Sequence, residues 1–253
     1  MDTKLQGQGK MSLHRILIRI SSSELLTKIY WTVRRIPAVG WLSRHVIGRV
    51  FAPPFSGSRE YWIQRYSSGG NSGLGSCGKL ARFKARVIND FVKEYRISTV
   101  IDFGCGDGGQ LRWAEFPAYT GFDVSPEALS VCRQLFHKDK SKKFKLMDEY
   151  CGENAELILS LDVIYHLVEE EVFHAYMGRL FDSSTRFVII YSTNTSVNRG
   201  QHASHVKHRE FTTWVDENRP QWKRTRYIPN KYQSYCYRYG GPLPDFYIFE
   251  KTV

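Results

Sequence analysis

The sequence predicts an α/β protein with a mostly parallel sheet, and three observations predict it. Short apolar runs end in acids at Asp102, Asp123, Asp148 and Asp162, and stretches of helical periodicity lie between them. A glycine-dense turn, Gly104, Gly106, Gly108 and Gly109, follows the first of these acids. Strand, Gly-rich turn, helix, strand and acid over Ser98–Asp123 is the order of a nucleotide-binding α/β unit.

The chain of 253 residues has room for one such domain and an appendage. Its 42% apolar and 14% aromatic content excludes a disordered chain. The net charge of +11 is uneven: residues 1–55 hold nine Lys and Arg against Asp2 and Glu24, so +7 lies in this fifth of the sequence. That excess points to an acidic surface near the N-terminus rather than to a basic protein throughout. Five cysteines without a CxxC spacing suggest neither a disulfide framework nor a zinc site, and fit a reducing, cytoplasmic compartment. No apolar run reaches the roughly 18 residues of a membrane-spanning helix.

Residues 1–55 read as a basic amphipathic helical appendage. Leu13, Ile16, Leu17 and Ile20 share one helical face, and Ser21-x-x-Glu24 forms a capping box before Leu25, Leu26, Ile29, Tyr30 and Val33. Three readings stand for it: a helical cap packed on the main domain, an anchor on an anionic membrane surface, or a transit peptide. In residues 56–78 and Phe55 before them, half the positions are Gly or Ser, which predicts a loop. Tyr61, Trp62 and Tyr66 within it suggest a lid more than a linker.

The main domain is read over residues 79–253. Lys79–Tyr95 carries Leu80, Phe83, Val87, Ile88, Phe91 and Val92 at helical spacing. After Val100-Ile101 and the glycine turn, Gln110–Ala114 is helix-compatible and stops at Pro117. Helices are expected at Pro126–Phe136, Val168–Phe181 and His208–Asn218, and strands at Lys143–Met147, Glu156–Leu161, Arg186–Tyr191, Trp222–Ile228 and Asp245–Glu250.

The turn fits two templates. Gly104-x-Gly106-x-x-Gly109 is the dinucleotide fingerprint. Asp102-x-Gly104-x-Gly106-x-Gly108 resembles the first motif of the class I S-adenosylmethionine-dependent methyltransferases. The ligands differ in charge: a dinucleotide brings a pyrophosphate to bare helix N–H groups, whereas S-adenosylmethionine brings an ammonium and a sulfonium. An acid at the strand end suits the cation.

The resemblance covers about Lys79–Val253, and is densest at Ser98–Asp123. It implies a Rossmann-like, mostly parallel seven-stranded sheet with helices on both faces. It also implies S-adenosylmethionine as cofactor, bound around Asp102, Gly104, Cys105, Gly106, Gly108, Asp123, Val124, Asp148 and Asp162. Asp123 matches the position that grips the ribose hydroxyls, Asp148 the position near the adenine amine, and Asp162 opens the motif facing methionine and substrate. Cys105 also reads simply as a small residue that fits the turn.

Asp162-Val163-Ile164-Tyr165-His166 lacks the Asn/Asp-Pro-Pro-Tyr/Phe turn of enzymes that methylate base amines or glutamine amides. A hydroxyl acceptor must lose a proton, and His166, with Asp162 beside it, is the candidate catalytic base. Tyr66, Tyr165, His205 and His208 are candidate substrate contacts. His202, His205 and His208 are read as substrate contacts or a plain polar helix start rather than a metal site, and the Tyr-rich loop Asn230–Gly241 as a hairpin tip or a stacking surface. No metal is expected.

The expected function is O-methylation of a small molecule or glycan, a lipid-tethered one included. Nucleic acid is an unfavoured partner because the positive charge lies in the appendage. An RNA methyltransferase, an NAD(P)-dependent oxidoreductase and a non-enzymatic interaction module are the alternatives.

Overall fold

The computed structural model describes residues 55–198, 203–232 and 243–252. The expectations for the helices of residues 1–54, for His202 and for the Tyr235–Tyr239 portion of the Tyr-rich loop lie outside the described residues.

Seven strands form one sheet: β1 (Thr99–Phe103), β2 (Ala118–Asp123), β3 (Lys142–Leu146), β4 (Ala155–Leu161), β5 (Ser184–Ser192), β6 (Trp222–Ile228) and β7 (Asp245–Lys251). Their order is β3-β2-β1-β4-β5-β7-β6. The first five are parallel, and β7 runs antiparallel between β5 and β6. The central strands β1, β4, β5 and β7 are largely apolar because both their faces are covered, whereas the edge strands β3 and β6 carry lysines and arginines. Along β4, Leu157 and Leu159 join one core with Phe83, Ile88 and Phe91, while Ile158 joins the other with Phe173, Met177 and Phe211.

Five helices are described: α1 (Ser58–Ser67), α2 (Gly78–Glu94), α3 (Pro126–Leu135), α4 (Glu170–Asp182) and α5 (Phe211–Asn218). Helix α3 begins as its sequence predicts, with Pro126 in the first turn and the Ser125 hydroxyl accepting from the Ala128 N–H.

Three expectations need correction. The loop expected over 56–78 contains helix α1, because its glycines cluster after residue 68 and SREYWIQRYS between Gly57 and Ser68 holds none. The Gln110–Ala114 piece closes only a single 3₁₀ turn, Leu111–Trp113, before Pro117. Residues 205–210 are not helical, and α5 starts at Phe211.

Parallel strands that leave β1 in opposite directions, to β2 and to β4, open a crevice at their carboxyl ends. The Gly-rich turn after β1 and Asp162 after β4 both sit there.

Candidate active site

A 420 Å³ cavity occupies this crevice, within the ~300–1,000 Å³ common for small-molecule sites. Asp102, Gly104, Cys105, Gly106, Asp123, Val124, Asp148 and Asp162 all line it; Gly108 does not. Gly108 instead faces α3, near Cys132 and Phe136. The turn needs its glycines. Gly104 takes φ +87°, and a Cβ there would lie 2.5 Å from Val163 Cγ2.

Asp102 is buried at the end of β1. Its Oδ2 accepts from the Tyr119 hydroxyl at 2.9 Å, whereas Oδ1 has no hydrogen-bond partner among the described residues. Burial pushes this carboxyl up to about 7, against the pull of the Tyr119 hydroxyl and the Lys84 ammonium. Asp123 is held differently. Its Oδ2 accepts from the Gly106 N–H and its Oδ1 from the Ser125 N–H, both at 2.9 Å. Burial still raises its carboxyl above the ordinary range.

Asp162 takes φ +62°, a left-handed backbone that costs an L-residue roughly 1–2 kcal/mol. Its N–H donates to the Tyr191 carbonyl at 2.9 Å. Its carboxylate is fixed on both oxygens: Lys84 Nζ lies 2.5 Å from Oδ2, and the Tyr165 hydroxyl donates to Oδ1 at 2.8 Å. Lys84 comes from α2, is 1% exposed and lines the same cavity.

His166 follows in a 3₁₀ turn, Ile164–His166. Its Nδ1 lies 3.1 Å from the His205 carbonyl. A carbonyl can only accept, so Nδ1 carries the hydrogen and Nε2 keeps its lone pair. Burial lowers this imidazole to about 4, so it is neutral at pH 7. Trp62 meets it edge-on at 4.9 Å.

Helix α1 and the glycine-rich turn after it cover this chemistry. Trp62 and Tyr66 line the cavity from α1, and Ser72, Gly75 and Ser76 from the turn. The Ser72 hydroxyl and N–H donate to the two oxygens of Asp107 at 2.8 and 3.0 Å, and Tyr66 reaches Ser72 at 2.8 Å. A Cβ on Gly106, at φ +60°, would overlap Ser72 Oγ. At the other end of α1, the Ser58 hydroxyl bonds Glu169, and Arg59 forms two bonds to Asp148 at 2.9 and 2.6 Å. That pairing holds the exposed Asp148 carboxyl below its usual range.

The structure therefore gathers Asp102, Asp123, Asp162, Tyr66, Tyr165 and His166 around one space. It does not bring His205 or His208 to the cavity. The His205 ring stacks on Tyr61 at 4.0 Å, and its carbonyl orients His166. His208 is buried, 2.7 Å from the Thr193 hydroxyl, because the non-helical loop after β5 turns it onto the sheet end. Tyr232 of the Tyr-rich loop packs edge-on against Phe83. Among the described residues no cluster of His, Cys, Asp and Glu could hold a metal ion, and no helix is long and apolar enough to cross a membrane. Sequence reasoning missed Lys84, Arg59 and Asp107, and placed Trp62 only as an aromatic of a lid.

Residues 101–189 match the family model described as "Methyltransferase domain". No curated protein sequence matches the chain. Among solved structures, the chain is similar to the N-methyltransferase NodS from Bradyrhizobium japonicum WM9 in complex with S-adenosyl-L-homocysteine. The TM-score is 0.62 at 13% identity, covering 78% of this chain and 99% of that one. Magnesium protoporphyrin IX methyltransferase from Synechocystis PCC 6803, with bound S-adenosylhomocysteine, gives 0.54 at 15% identity over 78% and 96%. The methyltransferase domain of bacterial CtHen1-C gives 0.53 at 20% identity over 68% and 98%. These likenesses establish the shared fold. The methyltransferase-domain match spans β1 to β5, and the fold around it is the Rossmann-like fold that this chain shares with those methyltransferases.

Proposed function

We propose that the protein transfers the methyl group of S-adenosylmethionine to an oxygen of a small molecule or glycan, with His166 taking the hydroxyl proton. The residues present fit the cofactor. Asp102 Oδ1, buried and without a partner among the described residues, supports a cationic ligand group at the end of β1, which a pyrophosphate would not satisfy. In this reading Asp102 takes the ammonium, Asp123 accepts from the ribose hydroxyls with its remaining lone pairs, and Gly104, Cys105 and Gly106 shape the turn beneath. Val124 flanks the adenine, and Asp148 reaches its edge together with Arg59. The bound cofactor supplies an electrophilic methyl group on a sulfonium.

The observation that carries the acceptor chemistry is the His166 tautomer. Its Nδ1–H is committed to the His205 carbonyl, so its Nε2 lone pair is the ring's one acceptor. An imidazole lowered to about 4 is a weak base toward a resting hydroxyl. It suffices once the attacking oxygen becomes oxonium-like in the transition state, because that proton is strongly acidic. Asp162, tied to Lys84 and Tyr165, acts as a scaffold for the turn that carries His166.

Labelled methyl transfer to a panel of alcohols, phenols, sugars and amines tests this reading. The expected product is a methyl ether or ester, and His166→Asn lowers kcat by roughly 10²–10⁴-fold with little change in S-adenosylhomocysteine affinity. A product labelled only on nitrogen would refute the oxygen acceptor. The exposed and buried thiols of Cys77, Cys151, Cys105 and Cys132, all free, support a reducing, cytoplasmic compartment. Membrane attachment through residues 1–55 is tested by flotation with anionic vesicles, with and without that segment.

A further inference from the structure

The wall around His166 is more aromatic than methyl transfer itself requires. Trp62 and Tyr66 of α1 and Tyr165 and His166 of the turn after β4 all line the cavity. Their rings form one run. Between centroids, Trp62 lies 5.8 Å from Tyr66 and 4.9 Å from His166, and Tyr165 lies 4.5 Å from His166. The indole is held by the Arg65 guanidinium at 5.3 Å and by Tyr61 edge-on at 5.5 Å, neither of which lines the cavity.

The polar hydrogens of this wall are largely committed. The Ser72 hydroxyl donates to Asp107 Oδ1, so the Tyr66 hydroxyl, 2.8 Å from Ser72 Oγ, is the donor in that pair. The Tyr165 hydroxyl donates to Asp162 Oδ1, and His166 Nδ1–H to the His205 carbonyl. On these four rings the Trp62 N–H is the one donor left, so the several oxygens of a sugar buried here would go short of donors. The open side-chain atoms about the glycine turn, Asp102 Oδ1 and Gln110 Oε1, are acceptors as well.

Charge leaves the same space neutral. Of the three cations lining the cavity, Lys84 pairs with Asp162 and Arg59 with Asp148. The third, Arg179, lies 5.5 Å from the Tyr150 ring, beside the turn that carries Asp148. Asp102 and Asp123 remain for the cofactor. The base points the same way. An imidazole at about 4 is poorly matched to an aliphatic hydroxyl, which is nearly as weak an acid as water at about 15.7. A phenol, at about 10, gives up its proton far more readily.

We propose that the acceptor is an uncharged aryl alcohol, a phenol, whose ring packs against Trp62 and Tyr66 with its hydroxyl at His166 Nε2, and that Trp62 determines this specificity. This rests on the oxygen-acceptor reading above and chooses within it, the small molecule over the glycan. Aromatic rings packed on one another gain beyond the area they bury, and a saturated ring of the same outline forgoes that gain.

The test is steady-state methyl transfer by the full-length protein to 2-naphthol, to its saturated counterpart decahydro-2-naphthol, and to methyl glucoside. Wild type, Trp62→Leu and Trp62→Phe are compared. In wild type the expected kcat/KM for 2-naphthol is at least tenfold above that for either other alcohol. Trp62→Leu lowers it at least tenfold, chiefly through KM, and Trp62→Phe recovers most of the loss. Affinity for S-adenosylhomocysteine, read by calorimetry, changes less than threefold in both variants. Equal use of the saturated alcohol or the sugar overturns the inference with the oxygen reading intact, and so does an unchanged KM for 2-naphthol in Trp62→Leu. If S-adenosylhomocysteine affinity falls in step with activity, Trp62 is only a prop for α1 and the inference is again overturned. Transfer to nitrogen alone, or to none of the alcohols, overturns both.

Discussion

Asp102 makes the cofactor reading testable through protons. Its carboxyl is raised to about 7 by burial, and an ammonium placed at the orphaned Oδ1 requires the ionised form. At pH 6 about nine-tenths of the free protein holds the proton, at pH 7 about half, and at pH 8 about one-tenth. Ligand binding must displace it, so the observed affinity for S-adenosylhomocysteine rises about tenfold from pH 6 to pH 8. At pH 7 about half a proton is released per ligand bound, which calorimetry in buffers of different ionisation heat reads directly. His166 stays neutral over this range because its imidazole lies at about 4.

The Asp102→Asn variant separates binding from structure. The substituted amide oxygen can still accept from the Tyr119 hydroxyl, so the local packing survives. Loss of a charge-assisted hydrogen bond worth about 1.5–3 kcal/mol weakens the ligand roughly 10–100-fold, and the pH dependence disappears. Stability moves the other way. The folded carboxyl sits at about 7 against 3.8 for a free aspartate, so between those values the folded protein holds more protons than the unfolded chain. Its stability is therefore full below about 4 and falls by up to about 4 kcal/mol as the pH rises to 7. Asp102→Asn removes that loss and raises the Tm of the free protein at pH 8. Affinity that is flat from pH 6 to 8 with no proton release, or a variant less stable than wild type at pH 8, would refute the reasoning.

Three further outcomes follow from the site. Asp123→Ala removes the acceptor of the Gly106 and Ser125 N–H groups, and lowers S-adenosylhomocysteine affinity at least tenfold in calorimetry; unchanged affinity would remove Asp123 from the site. The pH profile of kcat is flat from pH 6 to 8 on the His166 side and falls only as pH approaches about 4, because the neutral, proton-accepting imidazole persists above that value; a midpoint near 6.5 that disappears in His166→Asn would refute the lowering of this imidazole by burial. Gly104→Ala forces a left-handed Cβ against Val163 and costs about 2 kcal/mol, a Tm lower by roughly 4–8 °C, and pairing it with Val163→Ala recovers part of that loss.

Local chemistry was legible in the sequence, and distant pairing was not. The acid-and-glycine stretch from Asp102 to Asp123 reads correctly because a strand end, a turn and the next strand end are consecutive and carry their own signals. The central strands read as apolar runs because both their faces are covered, as in β4 and β5. Helix α1 was hidden by averaging: its ten residues shared a window with the glycine-rich turn that follows, and little apolar periodicity marks it. Asp148 was assigned by its place after β3, but its engagement depends on Arg59, 89 residues away on that unforeseen helix. His205 and His208 were assigned by proximity in sequence to a substrate-facing loop, and the fold turns both of their rings elsewhere.

Lys84 is the instructive omission, because a signal for it existed. Leu80, Lys84 and Ile88 are spaced by four and share one stripe of α2, and all three are buried. Reading that stripe for its apolar residues identifies the helix and passes over the lysine. Reading it for its exception gives more. A lysine is almost never fully buried unless paired, so its place in the stripe demands a carboxylate from another element. The acids available to a helix that precedes β1 are those at the strand ends, Asp102 and Asp162, and the structure supplies Asp162. The cation that the sequence puts inside the core is thus evidence about the crevice above it. A core that admits a lysine there gives up apolar burial for a charge, and that charge fixes the Asp162 carboxylate at the mouth of the turn that carries His166.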